Sequence, residues 1–184
     1  GRTKKAYLWA YRSNDLQPGP KIIIFNYQAG RSGRYAQQFL QGWQGHLLVD
    51  DYGGYKALFA AARAHPEHQQ LIEPCLELAC WAHARRKFFD LFQSNQRPVA
   101  QEALSRIAVL YAIETEGRDM TADERQHLRA EKSRPALAAL HDWLQQTRLR
   151  TAPNTATAKA IDYSLKRWAA LTRYAETGDL PIDN

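Results

Sequence analysis

The fold is decided by the stretch at residues 46–54, which reads HLLVDDYGG. Its apolar start predicts a short β-strand, and Tyr55 and Leu58 begin a helical pattern after the glycines. In open α/β sheets, ligands bind just beyond the carboxyl ends of the strands. Asp50 and Asp51 occupy that position, and their oxygens suit a Mg²⁺ ion. The alternative is an acidic turn that caps the following helix.

Strands and helices alternate around this stretch. Residues 6–12 and 21–27 predict two strands that form an antiparallel hairpin. The second strand is apolar almost throughout, which predicts burial on both of its faces. Ser32 is the expected N-cap of a helix that precedes residue 46, and residues 76–81 predict a further strand that runs into a helix. This order predicts an α/β fold with a mixed sheet.

Helical patterns alone continue through the second half of the chain. Pro98 begins one helix, and the sequence from Thr121 to Glu124 has the form of a capping box that opens the next. Pro135 starts or kinks a further helix. A last helix is expected to extend through Trp168. The second half is therefore predicted to form an all-helical block.

The positive charge is concentrated in the first third of the chain. Residues 1–65 contain nine Lys or Arg side chains and three acidic ones, so they carry the whole formal net charge of +6. Such an asymmetry favours a polyanionic partner. Arg31 and Arg34 lie in this stretch and are candidate DNA contacts. The alternative is a solvated face on a mildly basic protein.

A second group of candidate side chains lies on the helix predicted to start at Trp81. Its core face is predicted from helical spacing and consists of Trp81, Ala84, Phe88 and Leu91. The candidates for phosphate contact are cationic or can become so: His83, Arg85, Arg86 and Lys87. The alternative is again a solvated basic face on a packed helix.

Cysteine usage disfavours a zinc site. Cys75, Cys80 and His83 offer one Cys-x-x-His step without a second ligand pair, whereas structural zinc needs four ligands. A buried Cys80 is the favoured interpretation. Two cysteines also make no disulfide framework, which fits a reduced, cytoplasmic setting. The longest apolar runs, such as residues 22–25, are too short to span a bilayer.

Three motifs, in this order and spacing, resemble the insertion sequence 66 transposase family. They are AYLWAYR at residues 6–12, GHLLVDDYGGY at residues 45–55 and CWAHARRKF at residues 80–88. The segment at residues 25–33 also fits. The resemblance covers residues 5–92 closely and the helical remainder more loosely.

The resemblance implies a ribonuclease H-like fold with a metal site built from two Asp and one Glu. Asp50 matches the family's second Asp and is the expected catalytic ligand, and Asp51 would add negative potential beside it. The first Asp is expected before Gly1 and the Glu after Asn184. The complete site would hold Mg²⁺ or Mn²⁺ and would activate water or a DNA 3′-hydroxyl for cleavage and strand transfer.

The resemblance also divides the chain into segments. Residues 1–95 would be a partial catalytic core with a mixed sheet, residues 96–176 an all-helical insertion, and residues 177–184 the lead-in to the Glu. The expected partners are transposon-end and target DNA and further copies of the complete protein, with no membrane. The segment alone is expected to be inactive. The alternatives are a non-catalytic DNA-binding or assembly module and a ribonuclease H-like nuclease remnant.

Overall fold

The computed structural model describes residues 3–50, 52–56, 58–59 and 75–184, apart from the side chain of Asn95. The chain divides into two compact units, Gly1–Glu77 and Leu78–Asn184, which are described in turn. Within the described ranges, no helix combines the length and the apolar character that crossing a membrane requires. The α/β class is confirmed, since strands dominate the first unit and helices the second.

The first unit begins with the predicted antiparallel hairpin. β1 (Tyr7–Arg12) pairs with β2 (Ile23–Gln28) in a register that sets Trp9 opposite Asn26. The connecting loop is held by the Lys21 ammonium, which donates to the carbonyl of Asp15 at 2.7 Å. The hairpin prediction from alternating and β-branched residues is thus confirmed.

The predicted burial of β2 on both faces is wrong. Phe25 and Tyr27 are 63% and 71% exposed, and Ile23 and Ile24, which point to opposite faces, are exposed as well. A continuous apolar run indicates that a strand is suited to burial. The strand is buried only where other elements pack on both of its faces. In the described part of this unit, β2 pairs with β1 alone.

The rest of the first unit surrounds the acidic turn. α1 (Arg34–Phe39) starts from Gly33 as N-cap rather than from the predicted Ser32, and the ring of Phe39 stacks on that of Tyr11 at 4.2 Å. β3 (Gly45–Val49) and β4 (Cys75–Ala79) form a second two-stranded sheet, which confirms both strands. Downstream of β3 the structure describes a single 3-10 turn, Gly53–Tyr55. The helix predicted there falls largely on residue 57 and residues 60–74, outside the described residues.

The second unit is helical from the end of β4 onward. α2 (Trp81–Asn95) buries the predicted face, which consists of Trp81, Ala84, Phe88 and Leu91. α3 (Pro98–Glu116) starts with Pro98 in its first turn, as predicted, and packs on α2. Because the core-facing positions of both helices recur at helical spacing, their faces follow directly from the sequence.

The next helical run contains a π turn that the sequence did not predict. α4 (Ala122–Leu128) opens with the predicted capping box, in which Thr121 and Glu124 bond to each other's backbone N–H groups. The π turn Arg129–Ser133 follows without a break and leads into α5 (Arg134–Leu149), so Pro135 sits in the first turn of α5. The hydrogen bonds from Thr121 lower the pKa of the Glu124 carboxyl.

The last predicted helix is divided in two. α6 (Ala156–Lys166) ends at Arg167, whose φ of −107° and ψ of 13° leave the helical region. α7 (Trp168–Thr172) then continues into a 3-10 turn, Arg173–Glu176. The break lets Trp168 meet Trp81 edge to face, with ring centroids 5.9 Å apart.

A buried arginine lies at the centre of this unit. The Arg129 side chain is 0% exposed and forms two hydrogen bonds to the Glu114 carboxylate, at 2.9 and 2.5 Å. Its Nη1 atom donates to the carbonyls of Tyr174 and Thr177 at 2.8 and 2.6 Å. A buried charge is tolerated when it is paired and hydrogen-bonded, and Arg129 meets that condition with four hydrogen bonds.

We predict that Arg129→Met destabilises the chain by about 3–5 kcal/mol, because it leaves the Glu114 carboxylate and two carbonyls without their donor. Urea unfolding followed by circular dichroism measures the change. Lys132→Met is the matched control, since it removes an exposed pair with Glu116 from the same π turn. That pair contributes at most about 1 kcal/mol. Equal effects of the two substitutions would contradict the assignment.

We also predict that Thr121→Ala destabilises the chain by about 1 kcal/mol, because the Glu124 N–H loses the hydroxyl that accepts from it. For a chain of this size, the melting temperature should fall by about 2–4 °C. Thr121→Ser keeps the oxygen and should melt close to the wild type. A drop as large in the Ser variant would show that the methyl group, rather than the cap, matters.

Candidate functional site

Asp50 directly follows the buried Val49 at the end of β3, as predicted. Its carboxylate is half-buried, and Oδ1 accepts a hydrogen bond from the backbone N–H of Tyr52 at 3.0 Å. This bond makes a local turn of the type that Asp favours. An ionised carboxylate has about four lone-pair sites, so one such bond leaves capacity for a cation.

An aromatic cluster lies next to the Asp50 turn. The buried ring of Trp9 lies 6.1 Å from Tyr52 and 5.8 Å from Tyr55, and the two tyrosines meet edge to face at 5.8 Å. Burial raises the pKa of the Tyr55 hydroxyl, and the negative charge of Asp50 adds to this effect. Tyr55 therefore stays protonated near neutral pH, with the Asp50 carboxylate in its vicinity. Trp9 of β1 is thus part of the packing around this turn.

Arg31 joins this cluster from the loop after β2. Its guanidinium carbon lies 4.2 Å from the centroid of the Tyr52 ring, and its backbone carbonyl accepts a hydrogen bond from the Tyr52 hydroxyl. The same loop touches the acidic turn through two glycines, because a Cβ on Gly33 would lie 2.0 Å from the carbonyl oxygen of Gly54. A basic loop and the Asp50 turn are therefore held together by backbone contacts.

Arg34 is directed differently from Arg31. It is exposed at the start of α1, and its Nη2 donates to the hydroxyl of Tyr35 at 3.2 Å. Its guanidinium carbon lies 5.0 Å from the centroid of the same ring. Of the two arginines that the sequence proposed, the structure shows a contact with the Asp50 turn for Arg31.

The cationic residues of α2 belong to the second unit. Arg85, Arg86 and Lys87 are exposed, while His83 is half-buried. The Nδ1 atom of His83 is inaccessible and has no hydrogen-bond partner among the described residues. The Lys87 ammonium lies 5.2 Å from the ring centroid of Tyr163 on α6. The predicted core face of this helix is buried, whereas three of its four cationic candidates are exposed.

The described residues contain no group of three or more His, Cys, Asp or Glu side chains that could together hold a metal ion. Asp51 lies outside the described residues. Cys75 and Cys80 are both free thiols, and burial raises the pKa of Cys75 to about 11.

The C-terminal segment at residues 180–184 lies along the start of α2. The backbone N–H of Trp81 donates to the carbonyl of Ile182 at 3.1 Å, and the Tyr111 hydroxyl donates to Oδ2 of Asp183 at 2.7 Å. The Cys80 thiol reaches Oδ1 of Asn184 at 3.1 Å. Burial and the Asp183 hydrogen bond both raise the pKa of Tyr111, so it remains a donor at neutral pH.

Arg125 and Arg129 hold the chain just before this segment. Arg125 is buried and donates to the carbonyls of Gly117, Met120 and Gly178, at 3.0, 2.6 and 2.6 Å. Sequence reasoning missed both arginines. Their spacing of one helical turn on a capped helix was the available signal, since it places them on the same face.

The chain matches a known protein family over its whole length. The family is described as Transposase IS66 family, and the match covers residues 1–184. The chain belongs to the IS66 transposase family. The resemblance of its three motifs to that family is thereby confirmed.

Relatives within this family come from Sinorhizobium fredii (strain NBRC 101917 / NGR234). The chain is 35% identical over 187 residues to its uncharacterized protein y4qI, a match that covers all of this chain and 34% of that protein. It is 33% identical over 186 residues to uncharacterized protein y4jD, with 100% and 35% covered. The chain thus spans about a third of the length of these IS66 relatives. No solved structure matches it.

We predict that Gly33→Ala disturbs the Asp50 turn of this IS66 family member. The added methyl group would meet the Gly54 carbonyl, and such overpacking costs about 1–3 kcal/mol. Thermal unfolding measures the loss, and near-ultraviolet circular dichroism should show a changed aromatic signal. Gly53→Ala is the matched control, because a Cβ there meets nothing within 4 Å. The contact would be refuted if both variants melted like the wild type.

Proposed function

We propose that this chain is the central part of a ribonuclease H-like catalytic domain of a DNA transposase. The complete protein would cleave DNA at the ends of an insertion sequence and transfer the strands to a target. The observation that carries the proposal is the position of Asp50 at the end of β3, in a chain that matches the IS66 transposase family throughout. Ligand sites in α/β folds lie at such strand ends.

Asp50 is proposed as a ligand of Mg²⁺ or Mn²⁺ in the complete site. Its partly accessible carboxylate is the type of oxygen ligand that these ions prefer, and the Tyr52 N–H fixes its orientation. Asp51 is proposed to add negative charge next to it. Bound divalent ions would activate the attacking oxygen and stabilise the leaving one. A single carboxylate binds Mg²⁺ weakly, so we propose that activity belongs to the complete protein.

The cationic side chains are proposed to hold the DNA backbone. Arg31 lies against the Asp50 turn, so it is the candidate for a phosphate close to the reacting group. The other candidates are Arg34, His83, Arg85, Arg86 and Lys87. Phosphate contacts position a duplex without reading its sequence, which suits exposed Arg and Lys side chains.

The C-terminal segment is proposed to lead toward the Glu of the complete metal site. Its contacts with Trp81, Tyr111 and Cys80 would then fix the direction in which the chain leaves the second unit. On this view the helical block positions the segment, because Arg125 and Arg129 hold the residues immediately before it.

We predict that Asp50→Asn abolishes strand transfer by a complete transposase that carries this segment, with a loss of at least about 100-fold. The amide keeps the shape of the side chain but removes the negative charge that binds the metal ion. A supercoiled plasmid carrying the insertion-sequence ends, incubated with Mg²⁺ and target DNA, measures the products. Asp15→Asn is the matched control, because Asp15 is an exposed partner of Arg12 in the hairpin loop.

Each outcome of this experiment has a defined meaning. Loss of transfer in Asp50→Asn with normal activity in Asp15→Asn supports the ligand assignment. Transfer that survives Asp50→Asn would refute it. If the wild type and the Asp50→Asn variant bind DNA equally and neither gives a metal-dependent product, the non-catalytic DNA-binding module is favoured instead.

A further inference from the structure

The exposed face of α6 carries a row of positive charge. Lys159 and Lys166 are exposed, and helical spacing places both on the same face as Tyr163. The buried positions of α6, such as Ile161 and Ser164, lie on the opposite side. The row spans two helical turns, or about 10 Å.

A shared aromatic ring joins this row to α2. The Lys87 ammonium lies 5.2 Å and the Arg167 guanidinium carbon 5.6 Å from the centroid of Tyr163. α2 and α6 pack directly on each other, so the cations of both helices form one surface. We name Lys87, Lys159, Tyr163 and Lys166 the α2–α6 surface; Arg167 is not part of it, because its Nε and Nη2 atoms are inaccessible to solvent.

Acidic side chains offset the charge of this surface only in part. Asp162 flanks the row on α6 and attracts Lys166, but its carboxylate also accepts a hydrogen bond from Arg148 at 2.6 Å. Asp90 is exposed on α2, one turn away from Lys87. The exposed Lys87 over the Tyr163 ring, with two exposed lysines beside it, creates a positive potential that a polyanion would relieve.

We propose that the α2–α6 surface binds the backbone of duplex DNA, which gives the helical block a DNA-binding role. The proposal rests on the proposed function, in which the chain handles DNA. Duplex DNA carries one negative charge per about 1.7 Å of helix axis, so a row of about 10 Å faces several phosphates. The Tyr163 ring already holds Lys87, which favours contact with the backbone over stacking of bases.

The test is the salt dependence of DNA binding by the 184-residue chain. A fluorescein-labelled 25-base-pair duplex of arbitrary sequence is titrated at several salt concentrations, and log K is plotted against log salt. Each lost phosphate contact reduces the slope by about 0.9, so Lys159→Gln combined with Lys166→Gln should reduce it by about 1.8. Circular dichroism verifies folding, which exposed substitutions should preserve.

The matched control removes two positive charges elsewhere in the same unit. Arg106→Gln combined with Lys132→Gln changes the net charge equally, but these cations already pair with Glu102 and Glu116 at 2.7 and 2.6 Å. The slope of this control should equal that of the wild type. Equal slopes for the two double variants would overturn the proposal, and so would the absence of salt-sensitive binding by the wild type.

Variants of Tyr163 and a single-stranded RNA ligand test the proposal further. Tyr163→Phe should bind like the wild type, whereas Tyr163→Leu should bind about two- to fivefold more weakly, because it removes the ring that holds Lys87. Tighter binding of a single-stranded RNA of equal length would overturn the assignment to duplex DNA. Because Asp50 is not part of this surface, failure here leaves the strand-transfer test of Asp50→Asn unaffected, and the two proposals can fail separately.

Discussion

The second unit depends on one buried cation. Arg129 is removed from water, so its charge must be balanced within the protein. The Glu114 carboxylate of α3 supplies the opposite charge, and the carbonyls of Tyr174 and Thr177 accept the remaining hydrogen bonds. These partners come from two elements far apart in the sequence. Arg129 is therefore satisfied only when both have packed around the π turn, which couples their folding.

Hydrogen bonds from Arg129 and Arg125 hold successive backbone carbonyls on the way to the C-terminal segment. Arg125 fixes the carbonyl of Gly178, where the chain comes so close to Ala122 that a Cβ would lie 1.7 Å from its carbonyl oxygen. From there the chain reaches Trp81 and Tyr111, which bind Ile182 and Asp183. The hydrogen bonds of Arg125, Tyr111 and Trp81 therefore fix the C-terminal segment against the start of α2.

Local signals in the sequence predicted local structure well. The Thr121–Glu124 capping box and the core face of α2 depend on residues within a few positions of each other, and both are confirmed. The burial of β2 and the environment of Arg129 depend on partners distant in the sequence, and periodicity carries no information about them. For the candidate site, the strand before Asp50 was predictable, but the contact of Arg31 with Tyr52 required the fold.

Tyrosine rings hold cations in both units. Arg31 lies over Tyr52, and Lys87 and Arg167 lie over Tyr163. A carboxylate would also orient a cation, but its negative charge would cancel the positive charge that attracts a phosphate. A ring attracts the cation through its quadrupole and leaves the net charge unchanged. Orientation without neutralisation suits the proposed binding to a polyanion. Arg129 also lies over a tyrosine, 5.1 Å from the ring centroid of Tyr174, but it is buried and paired with Glu114, so it serves the core instead.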